Sequence, residues 1–301
     1  MGYLFLSLAL GGNILKAYCG KKTSGFMKTV SDAFSFSSIR LGLSALFGIF
    51  FMIPDLLKNG LGLLAFEMEL LPTFLLSAVA NVGMVITWLI VVRSGVLVLL
   101  DVSALCGLLL PLTLSQIFYA EKIETNHIIG LVLLFAAALL IASYNNSIKT
   151  KLSLKSILLL LGFAISNGFI DFSQKIFRKQ TQIVPSSVFN FYTLLIAFII
   201  LFIISIILNA NRKDTENSKL QINPKALLHI SLMAVGLCVV TLFKTLAAGE
   251  LNAALVFPFF QGTVIISNAI LGAVCFKEKL SFKSILGLIL ITAGLLIMNL
   301  L

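Results

Sequence analysis

The sequence predicts an all-α integral membrane protein of about ten transmembrane helices, arranged as two inverted five-helix repeats. Composition predicts the class. Hydrophobic residues make up 59% of the 301-residue chain and charged residues 11%, and the mean hydropathy is +1.08. A soluble domain carries roughly 25% charged residues, and one core could not hold this much apolar surface; a bilayer solvates it. Duplication predicts the arrangement. Ala120-Glu121-Lys122-Ile123 leads into Ile128-Ile129-Gly130-Leu131-Val132-Leu133. Lys277-Glu278-Lys279-Leu280 leads into Ile285-Leu286-Gly287-Leu288-Ile289-Leu290, 157 residues later throughout. Each copy is a short charged turn entering an apolar helix, as expected of a duplicated membrane unit.

Ten apolar runs approach the roughly 20 residues needed to cross hydrocarbon. The first is Gly2–Tyr18. No basic residue precedes it and no small-x-small cleavage pattern follows, so it reads as a retained helix. The second, Phe34–Ile53, stops at Pro54-Asp55, and the third, Leu71–Val92, stops at Arg93-Ser94-Gly95. The fourth and fifth are Gly95–Tyr119 and Asn126–Tyr144, closed by Asn145-Asn146-Ser147. The sixth and seventh are Leu154–Phe172 and Val188–Leu208. The most polar stretch, Asn209–Pro224, reads as the longest exposed loop. Ala226–Leu246, Leu251–Phe276 and Phe282–Leu301 complete the set. Five helices precede the Asn145–Lys151 linker and five follow it. Five is odd, so the second set enters the membrane from the opposite face, and the repeats 1–146 and 147–301 are inverted.

The net charge of +10 does not indicate nucleic acid, because the bases are spread over short loops. Such bases orient a membrane chain. The loops around Lys21-Lys22, Lys149–Lys155, Arg212–Lys225 and Lys277–Lys283 carry more of them than the opposite face, which holds Lys58, Lys122, Lys175, Arg178, Lys179 and Lys244. The richer face is expected to be cytoplasmic, with both termini outside. A reporter active only in the cytoplasm and fused after Leu301 should then stay dark; a bright fusion reverses the orientation.

Cys19, Cys106, Cys238 and Cys275 are scattered and form no CxxC pair, which suits apolar packing. His127 and His229 stand far apart at helix starts, so neither a metal site nor a cofactor is expected. No GxxxxGK[ST] phosphate loop is present.

On the two half-ends, Glu121–Gly130 with Leu131–Ile141 and Glu278–Gly287 with Leu288–Met298, the chain resembles the drug/metabolite transporter superfamily, specifically the ten-helix EamA-like transporters. In that family each half closes with an acidic turn and a helix that opens on glycine among aliphatics. The resemblance implies a secondary active transporter that moves a small metabolite or drug across the cell membrane by alternating access. Export is the favoured direction and a proton the candidate coupling ion. It implies a multi-pass plasma-membrane protein that is not an enzyme. Its partners would be a small-molecule substrate and the lipid bilayer, with monomer and homodimer both open. A lipid flippase or a non-transporting scaffold on the same fold is the alternative. Relatives of this type carry cytoplasmic termini, opposite to the charge count. Small multidrug relatives place an acid in the first helix, where this chain has Asn13 and Lys16, so their coupling does not carry over.

Candidate site residues are the polar groups placed inside spans. Asp101 lies about two turns into the fourth helix and cannot snorkel. It reads as a substrate or coupling carboxylate, as a partner of Arg93 or another nearby base, or as an interfacial residue of a shifted helix. Asp171, four residues before Lys175, has helical pair spacing and reads as a local interfacial pair near the end of the sixth helix, with a cavity role open because the first helix of each half lines the pathway in the resembled family. Lys244 and Arg40 read as snorkelling bases, with a cavity role open for Lys244. Among the neutral groups, the cavity-lining helices of the resembled family favour Asn13, Asn81, Asn167 and Gln261 over Asn190. Trp88 is an interfacial anchor or a cavity wall. Pro111 and Pro258 read as gating kinks in cavity-lining helices. Gly287, Gly294 and Ala136–Ala138 suit close packing of the fifth helix on the tenth.

Overall fold

The apolar runs fold as helices because hydrocarbon offers no water to backbone N–H and C=O groups, which must pair within the segment. The computed structural model describes residues 1–24, 26, 30–60, 62, 67–93, 99–144, 154–181, 183–210, 224–277 and 280–300. Within them lie α1 Gly2–Ser24, α2 Val30–Asn59, α3 Leu71–Arg93, α4 Leu99–Tyr119, α5 Thr125–Tyr144, α6 Leu154–Gln180, α7 Ser186–Ala210, α8 Pro224–Glu250, α9 Ala253–Phe276 and α10 Phe282–Leu300. A 3₁₀ turn, Met68–Leu70, leads into α3. Among the described residues, eight helices are long and apolar enough to cross a membrane, and α5 adds a shorter apolar stretch, Thr125–Ile141.

Three ends differ from the sequence reading. α6 continues to Gln180, well beyond Phe172, because Asp171, Gln174 and Lys175 are buried against other helices rather than marking an exit from the bilayer. α2 carries Pro54 inside it instead of stopping there. α1 runs on to Ser24 with Lys21 and Lys22 in its last turn, where the helix dipole favours cations. Ser94-Gly95, the Asn145–Lys151 linker, most of the Asn209–Pro224 loop and Glu278-Lys279 lie outside the described residues.

Packing follows a paired scheme. α1 lies along α8 and α3 along α6; α2 lies along α7 and α5 along α10; α4 crosses α6. Leu105, Leu108, Leu134, Val256, Phe257 and Ile291 form the centre of one apolar core across α4, α5, α9 and α10. Phe74, Phe177 and Phe189 stack in another between α3, α6 and α7. Outward faces stay apolar, as at Phe202, Ile203 and Ile206 on α7 and Ile285, Ile289 and Leu296 on α10. Lipid solvates these side chains, so the outer faces need no protein cover.

Two helix contacts require glycine. A Cβ on Gly236 of α8 would stand 2.6 Å from the Gly12 carbonyl oxygen of α1, which is backbone and cannot give. On the α5–α10 seam, a Cβ on Gly130 would stand 2.8 Å from the Gly294 carbonyl oxygen and 2.1 Å from Met298 Cγ. One on Gly287 would stand 3.1 Å from the Ala137 carbonyl oxygen and 2.5 Å from Ile141 Cγ1. Small residues thus bring backbones together where dispersion contacts, rather than water, drive association.

Candidate functional site

Charged side chains set the interior apart. α6 carries Asp171 and Lys175 four residues apart on one helix face, yet they do not pair with each other. Asp171 accepts from Lys244 Nζ of α8 at 2.5 Å, with both side chains buried. Lys244 also stands 5.1 Å from the centre of the Phe260 ring of α9, a cation–π distance. The local Asp171–Lys175 pair expected from spacing is therefore replaced by a bridge between α6 and α8. Lys244 does not snorkel: its ammonium finds a carboxylate inside the bundle, and reaching the interface would abandon it.

Lys175 completes a second cluster. Its Nζ lies 2.7 Å from Glu121 Oε1, with Lys179 Nζ 3.3 Å from the same oxygen. Lys175 also donates to the carbonyls of Ala248 and Leu251 at 3.1 and 2.8 Å, where α8 ends. Glu121 Oε2 accepts from the Ala253 N–H at 2.8 Å, where α9 begins. Asn252, the N-cap of α9, makes no side-chain cap bond, so a carboxylate from the α4–α5 turn takes that role. Cation at a helix C-terminus and anion at a helix N-terminus are both favoured by the macrodipole. The sequence reading took the Glu121 turn only as a mark of the fold. Its partners on α6 and α9 are remote in sequence, and the one signal was the i, i+4 spacing of Lys175 and Lys179.

A third group lies between α1, α2, α3 and α8. Arg40 turns inward and lines a narrow cleft with Thr23, Phe36, Ser37, Trp88 and Met233, which overturns the peripheral, snorkelling reading of this base. Trp88 is a cleft wall there. Lys16 sits beside the Gly12–Gly236 crossing and within electrostatic reach of Arg40 and Lys244. Asn13, one turn before Lys16, is 4% exposed, and its Nδ2 has no partner among the described residues.

The remaining candidates are dispersed. Asp101 is half-buried in α4, two residues after the first described residue Leu99, and makes no ion pair or side-chain hydrogen bond among the described residues; Gly95, the expected start of the helix, lies outside them. A helix N-terminus is a favourable place for a carboxylate. Asn81 donates to the Ser77 carbonyl within α3. Asn167 and Gln261 are half-buried. Asn190 makes a helix–helix bond, from Nδ2 to the Cys238 carbonyl at 3.3 Å, and accepts from Thr241. Pro111 and Pro258 are buried inside α4 and α9. No cluster of three metal-ligating side chains occurs among the described residues.

Residues 154–300 match the EamA-like transporter family, part of the drug/metabolite transporter superfamily, whose members are transporters rather than enzymes. A solved structure, described only as the crystal structure of a protein, superposes over 98% of this chain and 97% of its own length. Its TM-score is 0.72 at 14% identity, a likeness of fold. No curated protein matches the chain.

Proposed function

We propose that this membrane chain, whose residues 154–300 match the EamA-like transporter family, is a secondary active exporter of a small metabolite, working by alternating access in the plasma membrane. The observation that carries the reading is the buried Asp171–Lys244 bridge between α6 and α8. Charge is costly in a bilayer and is retained where it faces a pathway or a partner helix. A purely structural bundle would be as well served by an apolar pair of the same volume.

The halves 1–146 and 147–301 act as the two rocking units. The reciprocal packing of α1 on α8 and α6 on α3, with α2 on α7 and α5 on α10, supports an inverted repeat. Pro111 and Pro258 let α4 and α9 bend as the units move. Asn13, Asn81, Asn167 and Gln261 line the route as hydrogen-bonding stations, with Asp171 and Lys244 at its centre.

Asp101 is the coupling carboxylate in this scheme. Purified Asp101→Asn protein in vesicles should fold normally, bind substrate, and lose flux driven by a pH gradient. Unchanged gradient-driven flux removes Asp101 from the mechanism. The direct test of the whole reading compares metabolites retained and released by cells with and without the chain. Uniform levels across a broad panel would favour a scaffold.

A further inference from the structure

Resting on the transporter reading above, we propose that the substrate is a small organic anion, its carboxylate or phosphate held by Lys16 and Arg40 and its apolar part laid against Trp88 and Phe36. Two bases of this cleft region lack a partner side chain among the described residues. Glu121 is matched by Lys175 and Lys179, and Asp171 by Lys244. Lys16 and Arg40 remain, and neither makes an ion pair or a side-chain hydrogen bond among the described residues. Both stand well inside their helices, α1 Gly2–Ser24 and α2 Val30–Asn59. Lys16 lies within electrostatic reach of Arg40 and Lys244, and the one acid bonded to any of these three, Asp171, is already taken by Lys244.

Two unsatisfied nitrogens of this group share one sense. Arg40 Nε is buried without a partner, and so is Asn13 Nδ2 one turn from Lys16. Both nitrogens only donate, as does the Lys16 ammonium. The ligand that completes this group accepts hydrogen bonds and brings negative charge. A cationic ligand would add a further like charge, and a neutral one would leave both bases without a countercharge. The aromatic walls, Trp88 and Phe36, offer faces to an apolar body. The cleft holds about 10 Å³ in this conformation, room for about one water, so the site is closed around its charges and opens to admit a ligand.

The test uses the full chain, purified and reconstituted, with three probes that share one ring system and differ in charge: indoleacetate, indoleacetamide and tryptamine. Phenyl phosphate adds a phosphate arm to the carboxylate one. Indoleacetate or phenyl phosphate should raise the unfolding temperature and compete with itself in counterflow, while the amide and the amine do neither. Lys16→Gln and Arg40→Gln should each weaken anion binding about tenfold or more, and Arg40→Lys should restore part of it. Arg40→Lys separates loss of charge from loss of folding. Equal or better binding of tryptamine or the amide overturns the proposal. So does full anion affinity in both glutamine variants, or failure of every anionic probe. Anion binding without flux of any probe supports this site and counts against the transporter reading. Flux of the amine or amide without anion binding does the reverse.

Discussion

Lys244→Met should stop transport and lower stability by about 3–5 kcal/mol, because it leaves the Asp171 carboxylate buried without its ammonium. The carboxylate accepts from Lys244 at 2.5 Å and is 3% exposed, so water cannot replace the lost partner. The double variant Asp171→Asn, Lys244→Met removes both charges. It should recover most of the lost stability, since well-packed neutral groups often replace a buried pair at no cost. It should not recover transport. Thermal unfolding in detergent and flux in vesicles read the two effects separately. Equal stability of the single and double variants would show that the two groups are not paired in the membrane. Wild-type flux in the double variant would make the bridge a packing element only.

Glu121→Gln should open the α8–α9 corner. The amide keeps an acceptor for the Ala253 N–H but gives Lys175 no countercharge, and Lys175 is 2% exposed. Removing one member of a buried pair costs about 3–5 kcal/mol where the other stays charged. Part of that loss should appear locally, as faster hydrogen exchange of the Ala253 amide and of the residues around Ala248 and Leu251. Exchange there is the measurement to make, because global unfolding alone would not identify the corner. Unchanged exchange at Ala253 would show that Glu121 does not cap α9.

Most helices were legible because eight of those described are apolar runs of spanning length, a local property of the chain. The α5–α10 seam was legible for the same kind of reason: Gly287, Gly294 and Ala136–Ala138 are small whatever surrounds them. The charged network was not. Asp171 and Lys175 have the spacing of a local pair, and only the arrival of Lys244 from α8 and Glu121 from the α4–α5 turn decides otherwise. The same two side chains made α6 look finished at Phe172, since a charge reads as an exit unless its partner is known. Arg40 was assigned to the periphery because α2 is the outer helix of its half in the resembled family. In the structure Arg40 lines a cleft with Trp88 and Met233. Pairing across 50 to 75 residues leaves no periodicity in a single sequence.

The α5–α10 seam has a further consequence. Gly130 meets Gly294 and Met298, while Gly287 meets Ala137 and Ile141. Gly287, Gly294 and Met298 stand 157 residues after Gly130, Ala137 and Ile141. The contacts are thus isologous: one patch meets its own copy, antiparallel, as two identical subunits do across a two-fold axis. In a chain half this long, a side chain added at the position of Gly130 would spoil the seam at both ends at once. With two copies joined in one chain, each glycine would answer for one contact only, and the two ends of the seam could diverge.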